Sequence, residues 1–241
     1  MISIFSLVYK SPEYADFIYN AIIKNTPKIK TGEAEFVFVV NFKNGISEKV
    51  VEHLKEKNYL FHVYEDEPEQ PNYPDNMSSI YKAWNFAVAM AGGEKIVLLN
   101  SDMFPSSDSW LEKMLEAHKP DIALTARLVE SGKMKSGTWG IEKNFGRTIK
   151  EFEKNKKDFK IFARTVEQDL LMPSGLYMPV MLETKLVRDT VGYPKGNPIY
   201  DGREVSGDWY FFNVTLKNAG IRHMTAGNTC FYHFQEGETF G

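Results

Sequence analysis

The sequence predicts an α/β fold, a mostly parallel central sheet with helices on its faces. Short β-branched and apolar runs (ISIFSLV, EFVFVVN, KIVLLN) alternate through the first half with stretches in which apolar residues recur at i, i+3, i+4 and i+7. The helical stretches are long enough to carry right-handed crossovers, the connection that joins parallel neighbours. A composition of 43% hydrophobic and 25% charged residues over 241 residues is that of a folded chain with a sizeable core.

Each element has its local reason. Residues 2–8 read as a first strand. Ser11 then offers an N-cap with Pro12 at the first helical position, and Ala15, Ile18, Tyr19, Ile22 and Ile23 form the apolar stripe of that helix. Residues 35–41 are a second strand, Ser47 is placed to cap a short helix that carries Val50, Val51 and Leu54 inward, and residues 60–64 are a third strand. A polar loop with Pro71 and Pro74 is expected over 72–79. Ile80, Ala83, Trp84, Ala87, Val88 and Ala91 mark a helix stopped by Gly92 and Gly93. Lys95–Asn100 is a buried strand; behind it come a helix with Trp110, Leu111, Met114, Leu115 and His118 on one face and a strand over 121–125.

Beyond this point the pattern loosens. Residues 131–164 hold four glycines and no sustained period, and the eight basic and four acidic residues of 142–164 are expected on a solvated helix face. A strand over 176–182, a glycine- and proline-rich loop over 192–207, a helix over 208–219 and two strands, 222–226 and 229–234, complete the chain. No repeat or linker divides it, so one domain over 1–241 is expected, with 1–126 and 127–241 as its halves.

Composition excludes several function classes. A net charge of −3, from 29 basic and 32 acidic side chains, gives no global basic field for nucleic acid. The single Cys230 excludes an intrachain disulfide; with His233 it has zinc-like spacing but lacks a second cysteine pair. No apolar run approaches a membrane span and no secretory leader is recognisable, so a cytoplasmic setting is expected, with peripheral membrane association left open. Neither G-x-x-x-x-G-K-S/T, nor G-x-G-x-x-G behind a strand, nor a G-x-S-x-G elbow occurs, and the five histidines form no H-E-x-x-H.

What remains lies at strand ends. Ligands of open parallel sheets bind outside the carboxyl ends of the strands, and two polar sets stand there: Asn41 behind FVFVV, and Asn100, Ser101 and Asp102 behind KIVLL. A hard divalent cation takes carboxylate oxygens together with phosphate oxygens and water, so Asp102 with a nucleotide diphosphate can hold Mn²⁺ or Mg²⁺. The local sequence equally allows Asp102 to start the turn that meets Pro105 and to cap a helix behind Ser106. Leu7, Val8 and Tyr9 leave the first strand on the same side. Trp139 stands in the glycine-containing stretch and Trp209 beside Asp208, Trp209 being readable also as core.

In order and spacing these pieces resemble the nucleotide-sugar-dependent glycosyltransferases of the GT-A type, family-2-like. ISIFSLVYKSPEY (2–14) is similar to the opening strand and turn that border the nucleotide base, and FVFVVNFKNG (36–45) to the second strand. AWNFAVAMAGGEKI (83–96) resembles the helix-to-strand segment, with Asn85 and Glu94 in place, and LLNSDMFP (98–105) resembles the D-x-D turn that holds metal and diphosphate. PSGLYMPVMLETKLVRDTVG (173–192) looks like the small-residue loop, which brings in Gly175, and SGDWYFFNVTLKNAG (206–220) like the helix whose acid is the general base of inverting members. Four departures stand out. Asn41 occupies a place where an acid commonly pairs with uracil, and Asn100 replaces the first Asp of D-x-D. Trp84 stands where a basic residue is frequent, yet lies on the apolar stripe and is read as core. Trp209, not an acid, follows Asp208.

The resemblance implies transfer of a sugar from a nucleotide diphosphate, a UDP-sugar before others, to a hydroxyl of a glycan or lipid-linked acceptor, metal-dependent and inverting. Asp208 is then the catalytic base. Leu7, Val8, Tyr9, Asn41, Asn85, Asn100, Ser101, Asp102 and Gly175 bind the nucleotide sugar, Trp139 and Trp209 the acceptor, and Asp102 with His233 the Mn²⁺ or Mg²⁺. Local reading keeps Asp208 also as a helix N-cap and His233 as a strand histidine satisfied by a neighbour. A non-catalytic nucleotide-sugar or glycan-binding module is the alternative class. A sugar nucleotidyltransferase fits less well, because Tyr9, Lys10, Ser11 and Pro12 stand where its glycine-rich basic loop is expected.

Overall fold

The computed structural model describes residues 1–65, 75–132, 134 and 139–234. The first half runs β1 (Ile2–Val8), α1 (Pro12–Lys24), α2 (Pro27–Lys30), β2 (Ala34–Phe42), α3 (Glu48–Glu56), β3 (Phe61–Glu65), α4 (Asp75–Met90), β4 (Lys95–Asn100), β5 (Met103–Pro105), α5 (Trp110–Ala117) and β6 (Ile122–Glu130). The second half runs β7 (Ile141–Glu142), α6 (Ile149–Val166), β8 (Leu171–Pro173), β9 (Val180–Glu183), α7 (Thr184–Arg188), the hairpin β10 (Ile199–Tyr200) and β11 (Arg203–Glu204), α8 (Gly207–Tyr210), a π-helical turn (Phe211–Thr215), α9 (Leu216–Asn218) and β12 (Arg222–His233).

The main sheet has the order β3-β2-β1-β4-β9-β6-β12-β5, with β7 on β6 and β8 on β12. β3, β2, β1 and β4 are mutually parallel, as the alternating pattern predicts. β9 runs antiparallel between β4 and β6, and β5 and β8 run antiparallel along β12. The predicted α/β class holds, with these antiparallel strands added. One face is filled from α1, α3 and α5 (Ile18, Ile22, Leu54, Trp110, Met114) and the other from α4 and the π-helical turn (Tyr81, Trp84, Phe211, Phe212). Trp84 is thus core, as its place on the stripe requires.

Several local readings are corrected. Ser11 caps α1, accepting from the Tyr14 N–H at 3.3 Å, but Ser47 makes no cap bond to α3. Its hydroxyl instead donates to the Asn41 carbonyl and accepts from the Lys43 N–H, so it staples the turn that leaves β2. The polar 72–79 segment is already helical from Asp75; Pro71 and Pro74 lie outside the described residues. Of the strand predicted over 176–182 only the end forms, as β9; Ser174 and Gly175, with φ of 65° and 143°, turn the chain ahead of it. The helix predicted over 208–219 begins at Gly207, with Ser206 in the N-cap position but making no side-chain cap bond, so Asp208 is not its cap.

The two terminal strands are one. β12 pairs with β6 in two registers, Ala226 opposite Ala126 and then Cys230 opposite Arg127, with a bulge between. Gly227 fastens that bulge: its N–H donates to the Leu170 carbonyl at 2.9 Å and its carbonyl accepts from Gln168 N–H at 2.8 Å. A Cβ at Gly227 would sit 2.8 Å from the Gln168 carbonyl oxygen, so the approach requires glycine. The far end of β12 is pinned by α6, which Thr148 caps through the Glu151 N–H. Phe152 stacks on Tyr232 at 4.8 Å, and the Tyr232 hydroxyl accepts from Phe145 N–H and donates to the Gly146 carbonyl.

Candidate functional site

The carboxyl ends of β1, β2, β4, β6 and β12 open on one edge of the sheet, and pairing register decides which side chains meet there. Glu130 ends β6 directly opposite His233, which ends β12. His233 also pairs with Met103, whose predecessor Asp102 lies in the tight turn between β4 and β5. Three residues far apart in sequence are therefore collected by strand pairing alone.

Their polar atoms form a line. His233 Nε2 lies 3.2 Å from Asp102 Oδ2, and His233 Nδ1 lies 2.7 Å from Glu130 Oε1. Ser101, Asp102 and Glu130 are buried. Burial by itself presses the His233 pKa down, but the charges and hydrogen bonds of Asp102 and Glu130 outweigh it and raise the pKa to about 10. Phe234 N–H donates to the Asp102 carbonyl at 3.2 Å, which ties the turn to the end of β12. Asp102 does not cap the following helix; Ser109 holds that position.

The donor chemistry suits a hard divalent cation. Cis ligands of an octahedral ion at 2.0–2.1 Å are about 3 Å apart, close to the Asp102–His233 separation. Among the described residues no group of three His, Cys, Asp or Glu side chains is arranged to hold a metal. Asp102 and His233 could supply two donors, the remainder coming from phosphate oxygens and water.

The other predicted residues fall into distinct environments. Val8 is buried in the core and Leu7 packs on the opposite face, so their backbone, not their side chains, borders the site; Tyr9 is half-buried. Asn41 ends β2 with Oδ1 accepting from the Ser79 hydroxyl at 2.7 Å. Asn100 is half-buried at the end of β4. Asn85 faces inward: Nδ2 donates to the Tyr193 carbonyl at 2.9 Å and Oδ1 accepts from Tyr193 N–H at 2.8 Å. Its amide thereby holds the loop behind α7.

Gly175 passes over the barrel of hydroxyls formed by Thr125 and Thr225, and Thr225 Oγ1 donates to the Ser174 carbonyl at 2.6 Å. Trp139 is 42% exposed, its indole N–H donating to the Pro173 carbonyl at 2.8 Å. Trp209 packs its ring against Tyr200. Asp208 sits in the first turn of α8 with Oδ1 accepting from Trp209 N–H at 2.8 Å. Burial chiefly, and then the nearby Asp208 charge, push the Tyr177 phenol up to about 12 and raise that of the fully buried Tyr193. Asp208, half-buried in the first turn of α8, therefore lies near enough for its charge to act on both phenols.

Glu130 was not foreseen. The pattern predicts a strand only to Thr125; in the fold Arg127 donates to the Trp139 and Val166 carbonyls while β6 continues to Glu130. The apolar Leu128 and Val129 beyond Arg127 are the signal that the strand runs on.

Known proteins give the same picture. The chain is similar to Staphylococcus aureus TarS 1–349 (16% identity, TM-score 0.56, covering 96% of this chain and 60% of that one). It is similar also to the mannosyltransferase PcManGT from Pyrobaculum calidifontis, solved with GDP-Man and Mn²⁺ (12% identity, TM-score 0.58, 99% and 58%). A third is GalNAc-T7, solved with UDP, GalNAc and Mn²⁺ (15% identity, TM-score 0.58, 97% and 43%). At these identities the likeness is one of fold, the GT-A fold, and this chain spans about 60% or less of the length of each. No curated protein matches it in sequence. The profile of glycosyl transferase family 2 matches residues 3–170, well over half of the chain, and with the strand order and the polar strand ends already described, the chain belongs to glycosyl transferase family 2.

Proposed function

We propose that the protein transfers a sugar from a nucleotide diphosphate, a UDP-sugar before others, to a hydroxyl of a glycan or lipid-linked acceptor in a single inverting displacement. The observation that carries this reading is the Asp102–His233 pair at the carboxyl edge of the sheet. A divalent cation at that pair, Mn²⁺ or Mg²⁺, supplies Lewis-acid neutralisation of the charge that develops on the leaving diphosphate. Asp102 would hold it through carboxylate oxygen and His233 through Nε2. Asn41 is suited to the base, since Nδ2 can donate to a ring carbonyl. Asp208 keeps Oδ1 on Trp209 N–H and can take the acceptor hydroxyl proton on Oδ2 as that oxygen attacks the anomeric carbon. The chain acts as one unit in this reading: Asp102 comes from the 1–126 half and His233 from the 127–241 half.

Thermal shift against UDP-, GDP- and dTDP-sugars, with and without Mn²⁺, tests the reading. A UDP-sugar with Mn²⁺ is expected to raise the melting temperature most and to release nucleoside diphosphate slowly. Asp102→Ala should abolish the Mn²⁺-dependent part. Guanosine nucleotides binding tenfold tighter would reverse the choice of base. Donor binding without any release would favour the non-catalytic module, and release unaffected by EDTA would remove the cation from the mechanism.

A further inference from the structure

Glu130 is a carboxylate with about 7% of its surface exposed, at the edge where a transferred sugar would be handled, and no role assigned so far requires it. Buried carboxylates are costly unless paired, and one oxygen of this one lies 2.7 Å from a ring nitrogen of His233. The imidazole has two nitrogens, and the hydrogen bond at one sets the state of the other. A carboxylate can only accept, so the 2.7 Å contact keeps Nδ1–H on Glu130 and turns Nε2 toward Asp102, where a cation would take the place of the Nε2 proton. The cross-strand register holds Glu130 opposite His233, so the orientation is built into the sheet and not left to a loop.

We infer that Glu130 is a positioning residue: it fixes the ring orientation and tautomer of His233 that present Nε2, beside Asp102, to a divalent cation. This rests on the reading that Asp102 and His233 hold such a cation. Glu130 cannot itself share that cation through the observed ring geometry, because it occupies the opposite nitrogen. Its effect on the cation runs through His233.

The test measures Mn²⁺ affinity directly, by the electron paramagnetic resonance signal of free Mn²⁺ titrated with the full chain and UDP, so that no acceptor or turnover is needed. Removing an outer partner of a metal-bound histidine typically weakens metal binding about 10–100-fold. Glu130→Ala is expected to do so, while Glu130→Gln, whose amide oxygen still accepts from Nδ1–H, should stay within about tenfold of wild type. Glu130→Leu carries the same comparison if the alanine variant loses its cooperative melting transition. Because Glu130 acts through the ring, Glu130→Ala should add nothing to the loss caused by His233→Ala. Long-range ¹H–¹⁵N spectra with Mg²⁺ and UDP should find the His233 proton on Nδ1 in wild type and redistributed in Glu130→Ala. Normal Mn²⁺ affinity in Glu130→Ala, or a loss that adds fully to that of His233→Ala, overturns the inference and leaves the cation site standing. A wild-type chain that binds no Mn²⁺ with UDP overturns both.

Discussion

Asp208→Asn separates chemistry from architecture. Asp208 lies inside α8, not at its N-cap position, which Ser206 holds, and its Oδ1 accepts from Trp209 N–H, a bond that asparagine Oδ1 can reproduce. What the substitution removes is one negative charge in the first turn of a helix, an interaction of about 0.3–1 kcal/mol. For a chain of this size 1 kcal/mol moves the melting temperature by about 2–4 °C, so the variant should melt within about 4 °C of wild type. Loss of a general base slows a reaction by about 10²–10⁴-fold, or about 2.7–5.4 kcal/mol of barrier. The two magnitudes do not overlap. Nucleoside-diphosphate release from the donor selected by thermal shift, measured beside donor affinity and melting temperature, reads all three quantities. Release slowed at least a hundredfold at unchanged affinity is expected. Release within threefold of wild type would refute the role and pass it to Glu204, the exposed carboxylate on the neighbouring hairpin.

Two further expectations concern the scaffold. Gly175→Ala would place a Cβ 1.9 Å from Thr225 Oγ1 at a φ of 143°, so backbone strain and overpacking together should cost about 2–4 kcal/mol in urea denaturation. Adding Thr225→Ala should return part of that loss, and a Gly175→Ala variant as stable as wild type would contradict the close approach. His223 is held at a pKa of about 4 by burial, below the unfolded value near 6.5. The unfolded chain therefore binds more protons between these values, and the contribution of His223 to stability, complete above pH 6.5, is lost as pH falls toward 4. Between pH 7 and pH 5 wild type should lose about 2 kcal/mol more than His223→Gln, and equal losses would exclude the effect.

The parts of the molecule legible in the sequence are those decided locally. Residues 2–8 and 95–100 are apolar on both faces because helices cover both, and the Ser11 and Pro12 signal needs nothing beyond α1. The sequence places Asp102 at a strand end with a local turn use equally open, and only the pairing of β5 with β12 sets it beside His233. What escaped depends on distant partners. Ser47 has the sequence of a cap, yet the Asn41 carbonyl competes for its hydroxyl and wins. Asn85 matches a donor-site motif, yet its amide is engaged by a loop 108 residues away. Glu130 lies five residues beyond where periodicity stopped, and only the pairing with β12 reveals it.

The bulge in β12 acts as a length gauge for the site. Before it, partners on β12 and β6 differ by 100 in number (226 and 126); after it they differ by 103 (230 and 127). Had the first offset continued, Glu130 would face the buried thiol of Cys230, and His233 would lie three residues, about 10 Å, further along. The spacing among Asp102, His233 and Glu130 is thus set at Gly227, roughly 20 Å of strand away, by a glycine that touches none of them. A side chain introduced at Gly227 should disturb the Asp102–His233–Glu130 alignment from that distance without altering any of the three. The residues that define such a centre therefore include the strand irregularity that counts out its register.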